Sequence, residues 1–281
     1  MSFKHHYQEA DKQDFDYNLY NWDVVEKILR GPSIDPNHDY FTALGAAEVF
    51  GRCVHEPFVQ TIAKKKNLQG LNLGISGVGP AFYLDNRIIE AINAGKFCII
   101  TAMSTRSVNN SKMKSRKCDS SGICDFGVEP SEIASASPFT HREPKFFNKI
   151  NNFIDAYYYL YTHDKPTFFR LIAESQINYL HSYMQLFKRI EVPVYFVFWS
   201  RRLPMDDGSE LGIKPNNVLF EWRQFPHFLT KNMLEILKCS SAIYLEQLRN
   251  KHHTEYKYFE GYYPDQEEHD QLAENLIKVM Q

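Results

Sequence analysis

Apolar residues gather along this chain in short runs separated by amphipathic stretches. Tyr40–Leu44, Leu71-Asn72-Leu73, Phe97–Ala102, Val192–Trp199 and Ala242–Leu245 have strand length and little alternation, the pattern of strands covered on both faces. Between them the period changes to that of helices. Glu48–Lys66 reads as a helix interrupted at Pro57, with Phe58, Ile62 and Ala63 as its stripe. Ile88, Ile89 and Ile92 recur at helical spacing between Pro80 and Gly95. Further helices are predicted over Lys145–Tyr161, Pro166–Arg189, His227–Lys238 and Asp265–Met280, the last with Leu272, Leu276, Ile277 and Met280 on one side.

Strands alternating with helices predict an α/β fold: a three-layer, mostly parallel five-stranded sheet, flavodoxin-like, as one domain over residues 40–281. Residues 1–39 are expected to form an arm and a short helix, capped by Asn21 or Asp23 and ended by Gly31-Pro32. Residues 104–142, rich in Ser, Asn, Lys, Gly and Pro, break the pattern and are expected to be a loop insertion that acts as a lid.

Charge narrows the function classes. With 32 basic and 34 acidic residues, the net charge of -2 gives no overall case for nucleic-acid binding, so any anion site must be local. No run approaches the length of a transmembrane helix and the N-terminus has no apolar signal segment, so a soluble, cytoplasmic protein is expected. The odd count of 5 cysteines reads as reduced thiols. Cys118 and Cys124 share a polar loop but lack a second pair at metal-ligand spacing, so no metal is expected.

Candidate chemistry follows from the strand pattern. Arg52, Arg106, Arg201 and Arg202 follow the first, third and fourth predicted strands, which in a parallel sheet brings them to one carboxyl edge, where forked guanidinium groups bind phosphate, sulfate or carboxylate. Singly, each reads equally as a solvated or structurally paired side chain. Asn72, Gly74 and Gly77 follow the second strand, where glycines admit a ligand to the backbone and asparagine donates to an oxyanion. The glycine offsets fit neither the dinucleotide fingerprint nor the P-loop. Asp265 is placed to cap the last helix, and His269, one turn on, to act as general base, with Glu48 as the other candidate base. The plain reading of His269 is a surface residue on a terminal helix.

This order of blocks resembles the SGNH/GDSL hydrolase superfamily: a small-residue turn after strand one, Asn-x-Gly after strand two, a polar block after strand three and a late histidine. A closer resemblance is to DUF6473, a family of bacterial proteins of unknown function often met beside surface-polysaccharide genes. It rests on Arg30-Gly31-Pro32, Leu44–Arg52, Pro57-Phe58, Leu71–Gly74 with Gly77, Gly79 and Pro80, Met103-Ser104-x-Arg106-Ser107 with Asn109, and Tyr263-Pro264 with His269. The SGNH pattern implies a nucleophilic serine where this chain has Ala47, and an aspartate three residues before the histidine where it has Gln266.

A serine esterase is therefore not the first expectation. The leading expectation is a transferase that modifies a cell-surface polysaccharide or glycan with a sulfo or acyl group, without a covalent serine intermediate. Its donor would be phosphorylated, of the coenzyme A or phosphoadenosine type, and not tightly bound. The alternatives are an SGNH-type esterase or acyltransferase with a relocated nucleophile, with Ser76, Ser104 or Cys53 as substitutes, and a catalytically silent sugar- or nucleotide-binding protein. Three geometric expectations follow. Arg52, Arg106 and at least one of Arg201 and Arg202 should share a pocket with Asn72 at the carboxyl edge, with Ser104 and Asn109 as further substrate- or anion-binding residues. His269 should point into it. No hydroxyl or thiol should replace the serine missing at Ala47 within reach of a histidine.

Overall fold

The computed structural model describes residues 12, 14–25, 27–112, 157, 160–204, 225–250 and 263–280. The apolar runs form a sheet of five parallel strands in the order β4-β3-β5-β6-β7, with β3 Tyr40–Gly45, β4 Gln69–Gly74, β5 Cys98–Thr101, β6 Val194–Ser200 and β7 Ile243–Leu248. Numbered within the sheet this is 2-1-3-4-5, the flavodoxin-type order, in which ligands lie beyond the carboxyl ends of the strands. β3 sits inside: Ala43 pairs with Asn72 on one side and Ile99 on the other.

Helices cover both faces, which is why the strands lack polar alternation. On one face Phe41, Ala43, Ile99, Val197 and Trp199 pack with Phe58, Val59 and Ile62 of α2 (Phe58–Lys66) and with Leu272, Ala273 and Leu276 of α6 (Gln266–Val279). On the other, Leu44, Leu73, Ile100, Phe196 and Phe198 meet Ile88, Ile89 and Ile92 of α3 (Asn86–Asn93). That face also takes Tyr183 and Leu186 of α4 (Lys165–Arg189) and Leu234 and Leu237 of α5 (Lys231–Lys238). Pro57 divides the first predicted helix as expected, leaving the short α1 (Ala47–Phe50) ahead of α2. Between β4 and α3 lies the 3-10 turn Pro80–Leu84.

The helix predicted to end at Arg30 is instead an antiparallel hairpin, β1 Tyr20–Trp22 and β2 Lys27–Leu29. Ten residues carry little helical stability alone, and pairing with tertiary contacts prevails. Its exit residue, Arg30, is 1% exposed. The guanidinium donates to four carbonyls of the turn after β3: Phe50 at 3.3 Å, Gly51, Val54 at 2.9 Å and His55 at 2.8 Å. Gly51 takes φ 75°, a left-handed conformation that glycine adopts without strain. Burial lowers the Arg30 pKa to about 10, with Tyr17 and Asp16 opposing.

Three buried tyrosines brace the carboxyl edge. The Tyr83 hydroxyl accepts from the Gly45 amide at 3.1 Å and donates toward the carbonyls of Gly45 and Leu73, each at 2.7 Å. The Tyr183 hydroxyl accepts from the Met103 amide at 3.0 Å and donates to Thr101 at 3.1 Å, while Tyr179 donates to the Met103 carbonyl at 2.9 Å. The expected lid beyond residue 112, most of the helix expected over 145–161, and Cys118 and Cys124 lie outside the described residues. No described helix is long and apolar enough to cross a membrane.

Candidate functional site

The turn after β3 closes on itself. A Cβ on Gly45 would lie 2.2 Å from Thr101 Oγ1, and one on Gly74 would lie 2.1 Å from the Phe50 amide, so these glycines let strand ends meet α1. Gly77 takes φ 81° in the following turn, which Ser76 enters. Asn72 donates through Nδ2 to the Val49 carbonyl at 2.9 Å and accepts the Gly74 amide on Oδ1 at 2.9 Å. Both its polar ends are engaged in stapling β4 to α1, and the donor expected for an oxyanion serves the turn.

Ala47 opens α1 and is buried. Beside it Glu48, 5% exposed, accepts on Oε1 from the Ala46 amide at 3.0 Å and from Thr101 Oγ1 at 2.8 Å. Burial raises its pKa, with the amides of Ala46 and Glu48, Thr101 and Arg249 pulling the other way. A carboxyl shifted upward beside the sheet edge is suited to holding a proton.

At the start of α6 the capping box forms as expected: Asp265 accepts the Glu268 amide at 2.9 Å, and the Asp265 amide donates to Glu268 Oε2 at 3.0 Å. Asp265 thus acts as a cap. Glu268, 1% exposed, also receives Arg249 through Nε at 3.2 Å and Nη2 at 3.1 Å, and Arg201 Nη2 at 3.3 Å. Arg249 follows β7 and its amide donates to the Ser200 carbonyl at 2.7 Å. Burial lowers its pKa to about 10 despite the charge of Glu268.

His269 is 0% exposed, stacked on Phe58 with centroids 5.9 Å apart and edge-on to Trp199 at 5.0 Å. Its Nδ1 accepts the Phe58 amide at 3.1 Å, satisfying the first orphan N–H of α2. Gln266, where an SGNH aspartate is implied, ties α6 to the Glu56 backbone at 2.7 and 3.1 Å. With Nδ1 accepting, the imidazole hydrogen sits on Nε2, an atom buried with no hydrogen-bond partner among the described residues. Burial, then the positive charges of Arg30 and Arg249, holds the ring well below the usual histidine range. The general-base role expected of His269 does not fit this arrangement, because one nitrogen caps a helix and the other already carries its proton.

Sequence reasoning missed a second histidine. Ser104, one turn past β5, has its Oγ 2.9 Å from Nδ1 of His227, and each is 1% exposed. Ser104 is thus a hydroxyl within reach of a histidine, which bears on the expectation that none replaces the serine missing at Ala47. Thr105 holds the His227 carbonyl through its amide at 3.3 Å and its hydroxyl at 3.0 Å. Arg106, half-buried, places Nη1 3.3 Å from His227 Nε2. Arg202 donates to the neighbouring Pro226 carbonyl and to Leu203 at 3.1 Å.

The described contacts thus sort the arginines into two groups, Arg106 with Arg202 about residues 226–227 and Arg201 with Arg249 about Glu268. Arg52, 2% exposed, donates to the Tyr263 hydroxyl at 3.0 Å and lies 4.9 Å from that ring. Asn109 is exposed and its carbonyl accepts from Asn178 at 3.0 Å. A shared pocket of Arg52, Arg106 and Asn72 is not what these partners describe, since Asn72 is turned into α1. A cavity of ≈ 300 Å³ lies at the opposite, amino edge, lined by Ile34, Gln60, Lys64 and Gln69 among others. Among the described residues no group of three or more His, Cys, Asp or Glu is placed to hold a metal ion.

No curated protein matches the chain. Among solved structures, a lipase from a goat rumen metagenome is similar at 12% identity over 85% of this chain and 96% of its own, with a TM-score of 0.42. A GDSL-like lipase structure from Bacteroides ovatus is similar at 11% identity over 90% of this chain and 55% of its own, with a TM-score of 0.38. Residues 4–116, which take in the hairpin, Arg30, the glycine turn, Asn72, Ser104 and Arg106, match DUF6473, a domain of unknown function.

Proposed function

We propose that the protein transfers a sulfo or acyl group from a phosphorylated donor, of the coenzyme A or phosphoadenosine type, to a hydroxyl of a cell-surface polysaccharide or glycan, without a covalent serine intermediate. The observation that supports this reading is the set of guanidinium groups that the parallel strands bring to one carboxyl edge. Arg106, Arg201, Arg202 and Arg249 leave β5, β6 and β7, and among the described ion pairs Arg201 and Arg249 converge on Glu268. Such an edge favours a phosphate or sulfate through forked bonds and stabilises charge that develops on a leaving group. Ala47 supplies no nucleophile, which agrees with direct transfer. The glycan acceptor follows from the resemblance to DUF6473.

The test is binding and turnover together. Calorimetry against coenzyme A and adenosine 3',5'-bisphosphate should give binding that weakens at least tenfold in Arg106→Gln and Arg202→Gln, about 1.4 kcal/mol. Equal affinity for dephosphorylated analogues would overturn the reading. One observation favours a relocated nucleophile instead, the 2.9 Å contact of Ser104 with His227. A fluorophosphonate adduct on Ser104, found by mass spectrometry and lost in Ser104→Ala, would put that reading first.

A further inference from the structure

Direct transfer to a hydroxyl needs a base for that hydroxyl, and the two buried histidines are wired with opposite polarity. We propose that His227 is the general base of this site, with Ser104 as its positioning residue and Arg106 as the group that draws the anionic end of the donor beside it. This rests on the transferase reading above and supplies the catalytic group it lacks.

The Arg106 guanidinium has donors, no acceptor, and a permanent charge. Arg106 Nη1 approaches His227 Nε2 at 3.3 Å, so Nε2 presents a lone pair. A neutral imidazole then carries its hydrogen on Nδ1, 2.9 Å from Ser104 Oγ. Ser104 is the acceptor in that bond, the part an aspartate plays in a catalytic triad, and not an activated nucleophile. The two Thr105 bonds to the His227 carbonyl fix ring and serine to one frame. Ser104 and His227 are each 1% exposed and Arg106 is half-buried, so the arginine is the member nearest solvent.

An anion that engages Arg106 competes with the Nε2 lone pair for its donors. In acyl transfer the acceptor hydroxyl gives its proton to Nε2 and its oxygen bonds to the thioester carbonyl carbon. The C–S bond breaks, and sulfur leaves with the electron pair and recovers the proton from Nε2. In sulfo transfer the hydroxyl gives its proton to Nε2 as its oxygen bonds to sulfur, the bond to the donor's phosphate oxygen breaks with its pair on the phosphate, and Nε2 then gives the proton up to that phosphate or to water. His269 has the reverse arrangement, with Nδ1 accepting from the Phe58 amide, and offers no lone pair for this step.

Long-range proton–nitrogen NMR on the full chain, labelled at histidine nitrogen, reads the tautomer directly, with His227→Gln and His269→Gln assigning the signals. The expected result is hydrogen on Nδ1 of His227 and on Nε2 of His269. Inorganic sulfate should shift the His227 signals in the wild type and not in Arg106→Gln. A hydrogen on Nε2 of His227, or signals indifferent to sulfate, would overturn the inference. With donor and acceptor supplied, His227→Gln should lose about a hundredfold to ten-thousandfold in turnover while donor affinity and Tm stay near wild type. Ser104→Ala should lose less, with a mixed tautomer. Transfer that persists in His227→Gln overturns this inference alone, whereas a wild type that transfers from neither donor overturns the reading it rests on.

Discussion

His269 and His227 are both buried at the carboxyl edge, yet one is built into the fold and the other into the proposed transfer. His269 spends Nδ1 on the first amide of α2 and lies between Phe58 and Trp199, beside the Arg249–Glu268–Arg201 group. His227 sits in a loop on two side chains that follow β5, with Arg106 toward solvent. The lesson is that burial alone does not separate a structural histidine from a working one. The atom that accepts, and what it accepts from, does.

The contrast is broken most severely at Glu268. Glu268→Gln removes the buried carboxylate on which Arg249 and Arg201 converge and should cost about 3–5 kcal/mol by urea denaturation, with sulfate binding at Arg106 undisturbed in what remains folded. Next, His269→Ala removes a packed ring and the cap of α2 and should cost about 3 kcal/mol. His227→Gln, measured the same way, should cost under about 1.5 kcal/mol, and equal costs would erase the distinction.

Acid sharpens it further. The folded His269 ring lies well below its ordinary 6.5, so on unfolding it takes up a proton that the folded chain refuses. Its contribution is complete above the unfolded value and declines as pH falls through 6.5, by up to about 1.4 kcal/mol per unit. Stability measured from pH 7.5 to 5 should show that slope in the wild type and lose it in His269→Ala. Glu48 works in the opposite sense: its folded pKa is raised, so its contribution is present at low pH and lost as pH rises through the folded value. The smallest effect expected is therefore a modest rise in Tm at pH 8 for Glu48→Gln, which keeps the acceptor for the Ala46 amide and Thr101.

The sheet and its covering helices were legible because β3, β5 and β6 are apolar on both faces and the helices between them repeat at their own period. The hairpin was not, since two three-residue strands are too short to show a period and take their form from Arg30 and the turn it grips. Asp265 was readable as a cap because its partner is three residues away. The partner of His269, Phe58, is 211 residues away, and no spacing in the sequence joins them. His227 carries no local signal either. The available hint was that Ser104 and Arg106 leave β5 on alternate positions while Phe225-Pro226-His227 opens the approach to α5, two short polar groups that a parallel sheet brings to one edge.

The tyrosine hydroxyls that cross the strand ends set a clock on the site. The Gly45 and Met103 amides donate to phenols of fully buried tyrosines, so neither can exchange its hydrogen with solvent until α4 or the Pro80–Leu84 turn comes away from the sheet. Those two positions should retain hydrogen for as long as the innermost strands do. The backbone from which Ser104 is hung would then be as slow as the core, while Arg106 at its rim reorients on the timescale of a side chain. A donor arriving at this edge would meet a fixed socket with one moving part.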